Sequence, residues 1–460
     1  MKKTRLTCLA VAATMVLAAN AQESKVIGLF DHATFYDGYL MDKNPDKDLE
    51  DGILRHSTSL YAVKMTEEQL ESIGEELRMN VWVTACCDNY DRIGNINLAF
   101  VPKGNDSYTT DEVDRIELGR FITPFMDKNK NPDTVPYTYE VSYLSSIFRN
   151  KQLREQYDLW VELEIFGIPY AANEQIAGCA GRSDVFQGTL QFETSTPAQP
   201  LVDNHLLVPV VIKKPEYIGN NLNNYHNQAT DTLGKTTKTY TLRLPEDVTD
   251  GQLVVITSNH GANENGEEYN RRWHYLYLDN QLVLSYIPGR TSCEPFREYN
   301  TQWNGIYGSY ALSDATWQSF SNWCPGDVID NRIINLGALE GGRHKLRISV
   351  PDAKFNGKQG DIPVSIFFQG TTEGHLEDHI ILPEHRTEQA ASIRLTDGTL
   401  QISSQEAIEG IEVHDTEGHL LHRVNGNKPL SLAHTPAGLY LVRIYLASGI
   451  VETHKVYNAK

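Results

Sequence analysis

Apolar and polar residues take turns along most of this chain, in short runs separated by turn-forming residues, which is the pattern of half-buried β-strands. The alternation predicts strands over 80–85, 93–101, 115–122, 137–141, 158–166 and 185–193. A second block follows over 207–213, 237–244, 252–258, 272–278, 281–286, 332–336, 342–350 and 364–369, with Asp279-Asn280 as a tight hairpin turn. A third, smaller set lies over 392–394, 399–403, 410–414, 420–424, 438–445 and 451–456. Residues 22–75 are expected to be irregular apart from one short helix. Thr66-Glu67-Glu68-Gln69-Leu70 opens it as a capping box, and Ile73 and Leu77 continue its apolar face. Two strand-rich blocks of domain size argue for an all-β protein of two sandwiches plus a small third β unit. The prolines of 194–200 mark a connection between the blocks, and the polar stretch from 371 to 389 marks a linker.

One strand carries more than its pattern. In 158–166, Val161, Leu163 and Ile165 share one face, while Trp160, Glu162, Glu164 and Phe166 share the other. A face mixing aromatics with carboxylates suits a sugar, but pattern alone favours a solvated outer face. Two further acids stand in telling places. Asp91 precedes the strand 93–101, where a strand-end side chain faces a cleft. Glu268 lies in the Gly- and Asn-rich loop 259–274; such loops carry binding groups, although acidic loops are more often merely solvated.

Composition narrows the class. Hydrophobic residues make up 40% and charged residues 22%, so a folded chain is expected, and 23 tyrosines suit many short strands. Residues 1–21 fit a secretory leader: Lys2, Lys3 and Arg5, an apolar stretch from Leu6 to Ala18, and a cleavage site at Ala19-Asn20-Ala21. Loss of those three cations takes the formal charge from −19 to −22, which repels phosphate and makes nucleic acid a poor partner. No later stretch approaches the ~20 apolar residues of a membrane span, so an exported, soluble protein is expected. Five cysteines remain in the mature chain. Cys293 with Cys324 is the easiest pair, and either Cys86 or Cys87 pairs with Cys179. No Cys-x-x-Cys, His-x-His or Gly-x-Ser-x-Gly occurs, so no metal, no cofactor and no serine nucleophile are expected.

The segment Cys87-Asp88-Asn89-Tyr90-Asp91-Arg92, followed by Gly119-Arg120-Phe121-Ile122-Thr123-Pro124, resembles the peptide-N-glycosidase F family, which reads Cys-Asp-x-Trp-Asp-Arg and then Gly-Arg-Phe-Ile-Thr-Pro. Glu268 before Trp273-His274 and Asp279-Asn280, Glu164, and Trp323-Cys324-Pro325-Gly326 follow in family order, so the resemblance spans about residues 80–370. It implies two side-by-side jelly rolls (76–196 and 197–370) and an enzyme that hydrolyses the amide between an N-glycan and asparagine. It also implies Asp91 as the principal acid/base residue, Glu268 holding water or substrate, and Glu164 as a supporting contact. Arg92, Tyr90, Trp160, Tyr269, Trp273 and His260 are the implied sugar contacts, and the Cys293–Cys324 pair is supported. Tyr90, Phe166 and His260 each stand where the family has tryptophan, and Phe320 where it has arginine, so the sugar contacts differ while the acids remain.

Residues 436–443 and His454-Lys455-Val456 resemble the C-terminal sorting domain of type IX secretion, placed at 390–460; the plain alternative is an immunoglobulin-like sandwich without an address function. The implied partners are N-glycosylated proteins and the secretion machinery, with a monomer expected. An endoglycosidase cleaving between the two core sugars would also use paired carboxylates, and a homologue without activity would be a glycan-binding protein. A copper monooxygenase on paired jelly rolls would need closely spaced histidines that the chain does not have.

Overall fold

In a computed structural model of the chain, the described residues are 24–40, 49, 51–212, 221–223, 234–261, 267–302, 306–355, 360–373, 391–396, 398–404, 407–415, 419–446 and 451–458. The leader read at 1–21 and most of the linker read at 371–389 lie outside them.

The first sandwich uses β1 (Ser24–Tyr36), β2 (Ile53–Arg55), β3 (Leu60–Lys64), β4 (Leu77–Ala85), β5 (Ile93–Pro102), β6 (Asp114–Ile122), β7 (Thr134–Glu140), β8 (Tyr157–Ile165) and β9 (Asp184–Ser195). One sheet runs β1-β9-β4-β7. It packs through Met79, Val81, Val83 and Phe192 against Ile96, Leu98, Leu118, Val161 and Leu163 of a second sheet. The expected irregularity of 22–75 is not what forms. β1 pairs with β9 along its length, and β2 and β3 extend the second sheet beside β8. The period-two signal of β1 is broken by register shifts between Gly28 and Phe30 and between Phe30 and Ala33, with His32 at φ 51. Bulges of that kind swap inward and outward positions and hide a strand from its pattern. The capping box does form: Gln69 N–H donates to Thr66 Oγ1 at 3.2 Å and Thr66 N–H to Gln69 Oε1 at 2.8 Å. The helix α1 stops at Glu71, so Leu77 opens β4 instead of continuing a helical face.

The second sandwich uses β10 (His205–Val211), β11 (Thr237–Leu244), β12 (Val248–Thr257), β13 (His274–Leu278), β14 (Gln281–Tyr286), β15 (Val328–Ile329), β16 (Arg332–Leu339), β17 (Gly342–Ser349) and β18 (Val364–Thr371). Its sheets run β10-β18-β12-β16 and β11-β17-β13-β14. Asp279 and Asn280 make the β13–β14 hairpin at φ 48° and 70°, the left-handed pair such a two-residue turn requires. β15 leaves this sandwich and pairs with β6, so the second sheet of the first sandwich reads β15-β6-β5-β8-β3-β2. Residues 391–458 form a separate small core between β19-β20-β23 and β22-β21-β24-β25, where β19 is Ala391–Thr396, β20 Thr399–Ser404, β21 Ile408–His414, β22 Leu420–Asn425, β23 Leu430–Ser431, β24 Gly438–Leu446 and β25 Val451–Asn458.

The two large sandwiches meet on the outer face of β6. Leu207, Val254 and Phe367 join the first core from the second sandwich. At the centre, fully buried Arg120 donates from Nε and Nη2 to both oxygens of Glu117 at 2.8 Å, and from Nη1 to Ser258 Oγ at 2.8 Å and the Pro363 carbonyl at 2.9 Å. Ser365 Oγ bonds the same Glu117. An ion pair with every donor placed is the form in which buried charge is tolerated, and it makes the relative placement of the two domains specific.

Candidate active site

Backbone chemistry places Asp91. Cys87, bridged to Cys179, anchors the start of the loop after β4; this fixes which cysteine pairs, and Cys86 is left as a thiol. Asp88 is buried and gathers the loop round itself, accepting from Tyr90 N–H (2.9 Å), Ile168 N–H (2.7 Å) and Arg92 Nε (2.7 Å). Thr123 then clamps both neighbours of Asp91: its Oγ1 accepts from Arg92 N–H at 2.7 Å and donates to the Tyr90 carbonyl at 3.1 Å. Its own N–H donates to the Arg92 carbonyl at 2.8 Å. The two segments that carry the family resemblance are thus physically joined around one carboxylate. Asp88 and Thr123 were not among the expected site residues; their signal lay inside those two segments, whose internal bonding pattern cannot be read from spacing.

Glu268 arrives from the other sandwich. Its Oε2 accepts from Gly261 N–H at 2.9 Å, which the positive φ (107°) of Gly261 turns toward it. Asn322 holds the Glu268 turn from behind, donating from Nδ2 to the Glu267 carbonyl at 2.8 Å and to that of Glu268. Trp323 follows, with its indole N–H on the Asn259 carbonyl at 2.9 Å, and Cys324, bridged to Cys293, fixes the strip. The expected Cys293–Cys324 pair is therefore present.

Between the sandwiches lies a cavity of about 250 Å³ lined by Tyr90, Asp91, Arg92, Ile93, Ile122 and Phe125 on one wall and His260, Glu268, Tyr269, Ile306 and Trp323 on the other. Burial raises the Asp91 carboxyl to about 6, against partial relief from Arg92. Burial raises Glu268 to about 7, and the charge of Asp91 adds to the rise. Tyr269, hydrogen-bonded to Glu268, has its phenol pushed up by burial and by both acids. Asp91 therefore ionises first and its charge holds the proton on Glu268 to higher pH. Arg92 is held by Asp88 with its guanidinium 5.4 Å from the centre of the Tyr90 ring.

His260 is oriented from the domain interface. Ser258 Oγ accepts from Arg120 and lies 2.7 Å from His260 Nε2. One proton is shared between that oxygen and nitrogen, which fixes the plane of the imidazole. The ring also lies 6.0 Å from Trp323.

The structure gathers Asp91, Glu268, Arg92, Tyr90, Tyr269 and His260, and leaves three of the expected residues out of the cavity. Glu164 is buried on the outer face of β8, opposite Asn95, and does not line it. Trp160 packs under residues 104–113 against Tyr108 (5.6 Å, edge-on) with Ala62 and Ala99, so it is core and not a sugar contact. The expected solvated face of β8 is likewise buried: Glu162 bonds Arg115, Tyr108 and Asn97 at 2.8–2.9 Å. Trp273 is exposed and stands outside the cavity. Trp323 and Phe125, both lining, were missed as contacts, although Trp323 opens a family-like motif and Phe125 directly follows another. Among the described residues no cluster of three or more metal-type ligands occurs, and no helix is long and apolar enough to cross a membrane.

Comparison with known proteins gives the same two halves. The model for the N-terminal domain of peptide-N-glycosidase F matches residues 26–180, and the model for its C-terminal domain matches residues 225–369. Among solved structures, PNGF-II is similar at 20% identity and a TM-score of 0.53, over 76% of this chain and 66% of its own, just under two thirds of its length. A peptide-N(4)-(N-acetyl-β-D-glucosaminyl)asparagine amidase is similar at 16% identity and a TM-score of 0.50, over 77% of this chain and 98% of its own. At such identities these likenesses speak to the fold, a pair of jelly-roll sandwiches. No curated protein sequence matches the chain.

Proposed function

Since the chain belongs to the peptide-N-glycosidase F family, we propose that it hydrolyses the amide between the innermost N-acetylglucosamine of an N-glycan and asparagine. The observation that carries this reading is the pairing of Asp91 and Glu268 from different domains across one cavity, with carboxyls raised to about 6 and about 7. Amide hydrolysis needs a base for water and an acid for a poor nitrogen leaving group. One carboxyl tuned near neutrality supplies both, taking the proton first and giving it up later. Asp91, the lower of the two, is the carboxylate that takes a proton from water as the oxygen attacks the side-chain carbonyl. The same proton goes to the departing nitrogen as the C–N bond breaks, leaving aspartate and a glycosylamine. Glu268 holds the water or the amide by hydrogen bonds. Arg92, Tyr90, Tyr269 and Trp323 contact the reducing-end sugars, with the imidazole of His260 as a further polar contact. The cavity is smaller than most ligand clefts and takes the reducing end of the glycan, leaving its arms outside. Glu164 supports the site only through the β5–β8 sheet.

Under the same reading residues 1–21 export the chain and residues 390–460 serve as a type IX sorting domain; deleting 390–460 should then leave glycan release intact and retain the protein in the periplasm of a host with that system. Incubation with a denatured glycopeptide, with both products weighed, tests the activity. An asparagine-to-aspartate mass change with an intact glycan supports it. One sugar left on asparagine means an endoglycosidase, and binding without cleavage means a lectin. Full activity in Asp91→Asn would overturn the role of Asp91 as the base.

A further inference from the structure

Trp273 opens a row of aromatic side chains that the cavity does not use. Tyr275 and Tyr277 follow on β13, and since side chains alternate across a strand, all three stand on the outer face of β11-β17-β13-β14 while His274, Leu276 and Leu278 turn inward. Ring centres are 6.2 Å and 6.5 Å apart, with planes inclined by 25° and 31°. The row is about 13 Å long at ~3.3 Å per residue. Trp273 is 45% exposed, and the two tyrosines are partly exposed.

The next strands complete the surface. Arg347 lies opposite Tyr277, with its guanidinium 3.9 Å from the ring centre. Beyond it, Thr241 pairs with Lys345 and Arg243 with Arg343 in register, on the same outer face. The outer face of these four strands carries Arg243, Arg343, Lys345 and Arg347 and no Asp or Glu; Asp279 of the β13–β14 turn lies at its edge, accepting from Lys345 N–H. The whole chain, by contrast, has 60 acids against 41 bases. A basic patch is therefore present, assembled by pairing two strands far apart in sequence.

We infer that this face binds the outer arm of the glycan whose core occupies the cavity, and that the arm it takes ends in a carboxylated sugar. Aromatic rings match the apolar faces of pyranoses at little entropic cost, and guanidinium and ammonium groups pair with carboxylates. The surface continues from the cavity. Tyr269 lines the cavity, and the same segment reaches Trp273, where the row starts, four residues later. An arm leaving the cavity at that end of the sandwich meets Trp273 first, then Tyr275 and Tyr277. The acidity of the rest of the molecule works against a nucleic acid on the same face.

The inference rests on the amidase reading, and its test keeps the two apart. The full chain and the double variant Tyr275→Thr/Arg347→Thr, which keeps strand propensity, are titrated calorimetrically. The ligands are a released biantennary N-glycan with carboxylated terminal sugars, the same glycan without them, and oligodeoxythymidine. Cleavage of the two matching glycopeptides is measured in parallel. The acidic glycan should bind roughly tenfold tighter than the neutral one, less so at high salt. The double variant should lose that preference, in binding and in kcat/KM, while its kcat on the neutral glycopeptide stays unchanged. Equal affinity for the two glycans, or a preference that survives in the variant, overturns the inference. Tighter binding of the oligonucleotide than of the acidic glycan overturns it too. Failure to cleave either glycopeptide sinks the amidase reading alone, since arm binding is still measured.

Discussion

Glu268→Gln should make the protein more stable while removing its activity. Glu268 is 8% exposed, and its carboxyl rises from 4.5 to about 7 on folding, through burial first and the charge of Asp91 second. At about 1.4 kcal/mol per pK unit, carrying that charge costs the fold about 3 kcal/mol. A raised acid favours the native state fully below its unfolded value and gives up that advantage as pH climbs through its folded one. The wild-type penalty therefore grows between pH 4.5 and about 7 and is flat above. Glutamine keeps an acceptor for Gly261 N–H and lacks the titration. We expect a gain of about 1–3 kcal/mol at about pH 8–9, shrinking to nothing near pH 4.5, with activity down about 100-fold or more. Urea unfolding of both proteins at several pH values across that range measures this directly. A difference independent of pH, or a glutamine variant less stable on the alkaline side, would refute the claim that the site stores unfavourable charge.

Thr123→Val, nearly isosteric, removes two hydrogen bonds that hold the neighbours of Asp91; kcat should fall at least about tenfold with KM little changed, for a stability loss of about 1–3 kcal/mol read by urea unfolding. Ser258→Ala removes the 2.7 Å contact to His260 Nε2, so the imidazole ¹⁵N shifts should move, and unchanged shifts would contradict the coupling of His260 to Ser258. The pH profile of kcat/KM should bend near 6 and 7, the values of Asp91 and Glu268, and Glu268→Gln should remove the upper bend while the one near 6 stays. His274 is fully buried and its imidazole is lowered to about 3 from 6.5. The unfolded chain takes up that proton first, so stability falls by about 1.4 kcal/mol per pH unit from about 6.5 toward 3, a slope that His274→Phe should reduce by one proton.

Period-two alternation located nearly every long strand of the two sandwiches to within a few residues, because each has one face on a core and one elsewhere. It failed at β1, where bulges reverse the alternation, and at β15, two residues too short to carry a pattern. The site was half legible. Asp91, Glu268, Arg92 and their aromatic neighbours follow from the family motifs. Trp160 and Glu164 did not reach the cavity because β8 turns its polar face toward a buried network, which a strand's pattern does not distinguish from solvent. The basic outer face of the second sandwich was invisible for another reason: its charges lie on strands about 100 residues apart, and only sheet pairing joins them.

The pairing of β15 with β6 bears on how the chain reaches its native state. Until Val328 and Ile329 arrive, β6 is an open edge, with Phe121 and Arg120 unpartnered on that side. During synthesis those residues follow about 200 positions later, a delay of roughly 10–40 s at ordinary elongation rates. An isolated first half would keep that edge indefinitely and offer it to other chains. A fragment ending near residue 200 should therefore aggregate or pair with itself, and the two walls of the cavity should be obtainable only as one polypeptide or by co-folding both halves.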